Sequence, residues 1–180
     1  AATPVRVNSF RAPDGQTYSA IAIKPDVIRS ATMAKDVVLI VDTSASQAGD
    51  YRAKSIAIVK GLLVASSKED RTLLAALDVA PQALTQGFVA KDSDELNAGI
   101  KKLDQRIPLG PCDYRAGLQM AGRSLEPRSQ RAKVVIFVGD GVNTAGVFGA
   151  DSLAATTKRL RSEHVAVHSI GIGSEVNEAM

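Results

Sequence analysis

A doubly wound α/β fold is predicted by three observations. From Lys35 onward, short aliphatic runs alternate with longer stretches of helical period; the runs at 37–41 and 134–138 are apolar at every position; and each leads into an acid, Asp42 or Asp140. Runs without a polar face belong to strands covered on both sides, as in parallel sheets. Alternating strands and helices call for right-handed crossovers between neighbouring strands. The expected architecture is a mainly parallel central sheet with one antiparallel edge strand and helices on both faces. A chain of 180 residues lies near the roughly 150 of a single domain, so one sizeable core is expected.

The elements follow in order. Residues 17–23 read as an extended, accessory or edge strand, bounded by the turn Pro13-Asp14-Gly15 and by Pro25. The strand 37–41 is followed by a helix over 51–65, in which Ile56, Val59, Leu62 and Leu63 recur at helical spacing and form the face that packs on the sheet. A second strand is expected at 72–79, with an antiparallel neighbour at 83–89 joined through Pro81. Ser93 and Asp94 offer an N-cap to an amphipathic helix carrying Leu96, Ile100 and Leu103. The run 108–113 is a loop by its Pro and Gly content, and a helix over 114–125 stops before Pro127. After the strand 134–138, a helix over 152–163 and a strand over 165–172 complete the pattern. Residues 175–180 read as the start of a further helix whose remainder lies outside this sequence.

Composition restricts the function classes. The hydrophobic fraction of 45% and charged fraction of 23% are those of a globular domain, with four Phe, three Tyr and no Trp leaving an aliphatic core. A net charge of +3, with basic residues scattered among acids and no interleaved aromatics, does not indicate nucleic acid. The single cysteine, Cys112, rules out an intrachain disulfide and a multi-cysteine zinc site. No apolar stretch approaches a membrane span, and the start Ala1-Ala2-Thr3-Pro4 has neither the charged nor the apolar part of a signal peptide.

The chemistry concentrates where the first strand ends. Asp42-Thr43-Ser44-Ala45-Ser46 delivers one carboxylate and two hydroxyls into a turn, and hard divalent cations take oxygen ligands of this kind. In open α/β sheets the ligand crevice lies beyond the carboxyl ends of the strands, where the strand order reverses. With strand order 3-2-1-4-5-6, Asp42 and Asp140 end neighbouring strands at that point. Two such charges about 4 Å apart repel by roughly 4 kcal/mol at an effective dielectric near 20, so a cation between them is expected. Read singly, Asp42, Ser44 and Ser46 are ordinary turn and cap residues; as a set beside a second strand-end acid they point to metal.

These residues resemble the von Willebrand factor type A domains, over Asp36 to Gly173, with D-T-S-A-S after an aliphatic strand as the strongest element. The resemblance divides the chain into an N-terminal extension, 1–34, and a domain of Rossmann-like fold, 35–180. It implies a metal-ion-dependent adhesion site holding Mg²⁺ or Mn²⁺, with Ca²⁺ as a third choice, whose open position takes an Asp or Glu of a protein or peptide partner. By position, Asp42 would act mainly through metal-bound water, Ser44 and Ser46 through their hydroxyls, and Asp140 as the distal acid. The family's threonine loop is matched by Gly110-Pro111-Cys112-Asp113, so Cys112 stands at the threonine position. A neutral thiol is a poor ligand for Mg²⁺. Three arrangements follow: Cys112 stands aside, Asp113 reaches in as its replacement, or the site is usually empty; the first is the expectation.

Other features carry less. His164 and His168, spaced i, i+4, straddle a helix-to-strand boundary and are expected in the core or at the surface. Gly171-Ile172-Gly173-Ser174 lacks the lysine and spacing of a phosphate loop. Gly146 and Gly149 mark a rim loop that is either a partner contact or a plain connector. A Mg²⁺-dependent phosphohydrolase is an enzymatic alternative, but Ser44 stands where a second Asp would serve as general acid. No catalysis is therefore expected. A structural domain of a longer protein with a weak metal site is the other alternative, and an extracytoplasmic location is the expectation for the adhesive reading.

Overall fold

The computed structural model describes residues 5–23, 33–145 and 150–177. The chain forms two compact units, residues 1–33 and 34–180. In the first, β1 (Val5–Arg11) and β2 (Thr17–Ile23) pair as an antiparallel hairpin. The turn closes through Ala12 N–H donating to Gln16 O at 2.8 Å, with Gly15 at φ +86°. The expected strand 17–23 thus pairs with a local partner that the sequence reading did not identify, and belongs to a separate two-stranded sheet rather than to an edge of the main one.

The second unit is built on a six-stranded sheet. Its central strand β3 (Lys35–Asp42) is followed by a short 3₁₀ turn, Ala45–Gln47, and by α1 (Asp50–Ala65). Next come β4 (Arg71–Leu77), β5 (Pro81–Ala83), β6 (Val89–Ala90), α2 (Asp94–Gln105) and α3 (Tyr114–Ser124). β7 (Ala132–Gly139), α4 (Ala150–Ser162) and β8 (Val165–Gly171) complete it. Along the sheet the order is β5-β4-β3-β7-β8, with β6 also on β4. β3 pairs in parallel with β4 and β7, and β7 with β8, whereas β5 and β6 run antiparallel to β4. The expected antiparallel neighbour at 83–89 is therefore split. Gly87, at φ +142°, lies in the irregular stretch between its two short pieces, and Thr85 Oγ1 accepts from Leu74 N in place of a backbone carbonyl.

The core has two halves because side chains alternate across a strand. Val38 and Ile40 meet Leu118, Ala121 and Leu125 from the α3 side and Leu160 of α4. Leu39 and Val41 meet Ile56, Val59 and Leu63 of α1 with Leu96 and Leu103 of α2. α1 and α2 thus bury the apolar stripes their sequences repeat, and α2 starts on the expected cap, with Ser93 Oγ accepting from Leu96 N at 3.2 Å. Beneath the sheet, buried Asp36 accepts from Arg71 Nε and Nη2 at 2.9 and 2.8 Å, and from Arg131 Nε at 2.5 Å. This ties β3 to β4 and to the approach of β7.

The end of the chain departs from expectation. Residues 175–177 are not helical; Asn177 N–H donates to Asp140 O at 2.9 Å, folding this segment back over the strand ends. Residues 178–180 and the expected rim loop around Gly146 and Gly149 lie outside the described residues. His164 occupies the α4–β8 turn at φ +54° and His168 is exposed on β8, so the two do not share a helix face.

Candidate metal centre

The reversal of strand order falls between β3 and β7, since the chain leaves β3 toward β4 on one side and returns through β7 on the other. Asp42 ends β3 and Asp140 follows β7, and both are buried. Gly139 makes their approach possible: a Cβ there would lie 2.4 Å from Asp42 Cβ and 2.9 Å from Asp42 Oδ2.

Around these acids the turn after β3 closes a network. Asp42 Oδ1 accepts from Ser44 N at 2.8 Å. Ser44 Oγ and Ser46 Oγ lie 3.1 Å apart, and Ser46 Oγ donates to Asp140 Oδ2 at 2.5 Å. Asp140 Oδ1 accepts from Val142 N at 2.8 Å, the bond that shapes the turn beyond β7. All four expected residues, Asp42, Ser44, Ser46 and Asp140, therefore converge. Asp42 Oδ2 is the exception to this pairing: it is buried and has no hydrogen-bond partner.

Electrostatics follow from the burial. The Asp42 carboxyl is pushed above its ordinary value, chiefly by burial and further by the Asp140 charge, with the Ser44 amide, the Ser44 hydroxyl and the Cys112 thiol offsetting part of the shift. Burial also raises the Cys112 thiol well above its ordinary value, reinforced by the charges of Asp42 and Asp140. Cys112 is 2% exposed and stands within the field of both acids as a neutral thiol. Its loop is fixed by Thr144, whose Oγ1 accepts from Cys112 N at 2.8 Å and whose N–H donates to Cys112 O at 3.1 Å.

Asp113 is placed elsewhere. Its Oδ1 caps α3 by accepting from Ala116 N at 2.9 Å, and its Oδ2 faces Arg115 at 3.6 Å. That capping role explains why an acid follows Cys112 and why it does not replace a threonine ligand.

Three residues at the site carry no local signal in the sequence. Gln47, fully buried, donates through Nε2 to Asp140 Oδ2 and to Ile172 O, each at 3.1 Å, so it clamps the turn to β7 and to the end of β8. Thr144 anchors Cys112, and Asn143 Oδ1 accepts from Tyr114 N at 2.9 Å. Their roles depend on segments distant in sequence, and only the position of Asn143 and Thr144 just beyond the strand-end acid hints at a site loop.

Two carboxylates, one of them with an unpartnered buried oxygen, and two hydroxyls form a hard oxygen donor set that fits a small divalent cation. The neutral thiol adds no hard ligand. Among the described residues no group of three or more His, Cys, Asp and Glu side chains is arranged to hold a metal, so the hydroxyls are essential to such a centre.

Residues 35–180 match the model of the von Willebrand factor type A domain family. No curated protein matches the chain. Among solved structures, a von Willebrand factor type A protein from Catenulispora acidiphila superposes with TM-score 0.70 at 15% identity, covering 81% of this chain and 34% of that one. Manganese-loaded TRAP protein from Plasmodium vivax gives 0.64 at 22% identity, with 82% and 61% covered. The pilus adhesin SpaC from Lactobacillus rhamnosus GG, in its open conformation, gives 0.64 at 13% identity, with 93% and 27% covered. The chain thus spans between about a quarter and three-fifths of the length of these structures, and at these identities the likeness is one of fold. With the family model matched over most of its length and the strand order, helices and strand-end acids in place, the chain belongs to the von Willebrand factor type A domain family.

Proposed function

We propose that residues 35–180 form a binding module, with 1–34 as an extension, in which Asp42, Ser44, Ser46 and Asp140 hold Mg²⁺ or Mn²⁺, with Ca²⁺ as a third choice. The ion would offer a position to an Asp or Glu side chain of a protein or peptide partner. The observation that carries this reading is the buried, unpartnered Asp42 Oδ2 beside a closed network of oxygen donors. A buried charged acceptor left without a partner costs about 1–3 kcal/mol or more, a cost that a cation would relieve. The manganese carried by the Plasmodium vivax TRAP structure supports a divalent ion on this fold, and the adhesin SpaC supports an adhesive, extracytoplasmic role. Binding rather than catalysis is the reading adopted, because Ser44 stands where a phosphohydrolase would carry a second Asp as general acid.

Within the site, the chain's own groups divide the work. Gln47 and Val142 N–H hold the Asp140 carboxylate in place. Ser44 N–H turns the Asp42 carboxylate so that Oδ1 is occupied and Oδ2 is not. Cys112, a neutral thiol facing the Asp42 carboxyl, would stand aside from the ion.

A second reading, a structural domain with a weak metal site, is favoured by the Ser44–Ser46–Asp140 chain of hydrogen bonds, which closes without an ion. Thermal melting of the chelator-treated protein with and without added Mg²⁺ or Mn²⁺ separates the two. The binding reading expects a metal-dependent rise in Tm that is absent in Asp42→Asn. Equal shifts in both proteins, or none in either, would overturn it.

A further inference from the structure

The loop that carries Cys112 is built as an apolar ledge beside the metal site. Leu109 N–H donates to Thr43 O at 3.1 Å, and Gly110 O accepts from Ala45 N at 3.0 Å, so the loop backbone is bonded to the turn that holds Asp42, Ser44 and Ser46. On its far side, Asp113 N–H donates to Asp78 O at 2.8 Å, and a Cβ at Gly110 would lie 3.5 Å from Val79 Cγ2. Three large aliphatic side chains stand exposed along this line: Val79 at 56%, Ile107 at 73% and Leu109 at 64%. Pro108 and Pro111 restrict the backbone between them, so little chain freedom remains to be lost on binding. An ion pair braces the ledge. Arg106, next to Ile107, bonds Thr43 Oγ1 at 3.0 Å and Asp78 Oδ2 at 2.6 Å, and Arg52 Nη2 reaches Arg106 O at 3.5 Å.

A rigid apolar surface bonded to the turn of a carboxylate-seeking site fits one kind of occupant. We infer that the ledge of Val79, Ile107 and Leu109 is the specificity surface of the site, and that the partner is an acidic peptide segment in which a bulky apolar residue adjoins the metal-directed Asp or Glu. This inference rests on the metal-centre reading for its carboxylate half only. The aliphatic contact selects among acidic partners, because any carboxylate satisfies the ion whereas only a large side chain is drawn from water against the ledge.

The test is selection of a displayed random heptapeptide library on the immobilised full chain in Mn²⁺, with elution by chelator. The expected pool is enriched in Asp or Glu next to Leu, Ile, Phe or Met. Selected peptides are expected to bind about tenfold or more weakly when that apolar residue is replaced by Ser. The double variant Ile107→Ser, Leu109→Ser, altered only at exposed positions and checked by an unchanged Tm, should lose the apolar preference while keeping the acidic one. Chelator-eluted acidic peptides with no apolar preference would overturn the ledge and leave the metal centre standing. Apolar peptides that stay bound after chelator and are recovered only by acid would overturn the metal centre and the carboxylate half of the inference. A metal-independent dimer of the full chain that dissociates on the double substitution would make the ledge a contact between copies and overturn the inference, as would an unenriched pool.

Discussion

Replacing Gly139 by Ala tests the geometry that brings the two acids together. An added methyl group would lie 2.4 Å from Asp42 Cβ, and 2.9 Å from both Asp42 Oδ2 and Phe137 Cζ. Separations this short cannot be absorbed without movement. Asp42 is fully buried and Phe137 is 1% exposed; the first is held by the β3 ladder and by Ser44 N, the second by an edge-on contact with Tyr114 at a 4.5 Å centroid separation. Overpacking of a core site costs about 1–3 kcal/mol, and with backbone-linked neighbours on two sides the upper part of that range applies. At about 2–4 °C per kcal/mol for a domain of this size, Tm should fall by about 4–12 °C.

The assay is urea and thermal unfolding of the chelated protein, read by far-ultraviolet circular dichroism. Because the methyl group displaces Asp42, the metal-dependent rise in Tm should shrink as well. A Gly139→Ala protein with wild-type Tm and wild-type metal response would refute the close approach of β7 to Asp42, and with it the packing argument for the site.

Three further outcomes are expected. Gly61→Ala lies in the interior of α1 with nothing within 4 Å of the added methyl, so it should stabilise by about 0.5–1 kcal/mol in the same unfolding assay. Asp36 is held below its ordinary carboxyl value: its burial acts upward but is outweighed by Arg71 and Arg131. Its contribution is therefore present above the unfolded value and lost as pH falls through the depressed one. Asp36→Asn should cost about 1–3 kcal/mol at pH 7 and flatten the loss of stability below pH ~4, measured by urea midpoints across pH. Cys112→Thr supplies a hard hydroxyl at the loop position, and isothermal titration should register tighter Mg²⁺ or Mn²⁺ binding; unchanged affinity would mean that this side chain does not reach the ion.

The fold was legible because its signals are local. The unbroken aliphatic runs of β3 and β7, the helical stripe of α1 and the cap at Ser93 are each decided within a few residues, and the strand order assumed for such a sheet, 3-2-1-4-5-6, is met as β5-β4-β3-β7-β8. Asp42 and Asp140 could be expected near one another because both stand at strand ends where that order reverses, and Ser44 and Ser46 follow Asp42 in the same turn. What could not be read is what distant segments impose. β1 lacks strict alternation and has only Tyr18, Ile21 and their neighbours as partners. The break between β5 and β6 depends on Thr85 standing in for a backbone acceptor. Gln47 looks like a polar residue at a helix entrance, and its burial against Asp140 and Ile172 is a product of the assembled sheet.

The unequal treatment of the two acids has a further consequence. Asp140 receives Ser46 Oγ, Gln47 Nε2 and Val142 N, whereas Asp42 receives Ser44 N on Oδ1, with the Ser44 hydroxyl and the Cys112 thiol facing the carboxyl, and its Oδ2 has no partner at hydrogen-bond distance. A proton or cation arriving at the site therefore finds its unmet demand at Asp42. Because the folded Asp42 carboxyl sits above its ordinary value, the folded state binds a proton at Asp42 more readily than the unfolded chain does. Its contribution to stability consequently declines as pH rises from the unfolded value through the raised folded one, the reverse of Asp36. Above that window the chain carries a buried, underpaired charge, a form of strain that functional sites retain for a ligand to relieve. Asp42→Asn removes the charge, so in chelator at pH 7 it should melt higher than wild type, while in saturating Mn²⁺ the order should invert. A variant less stable than wild type in chelator would show that the Asp42 charge is already compensated within the protein, and the unpartnered oxygen could then no longer account for a cation at this site.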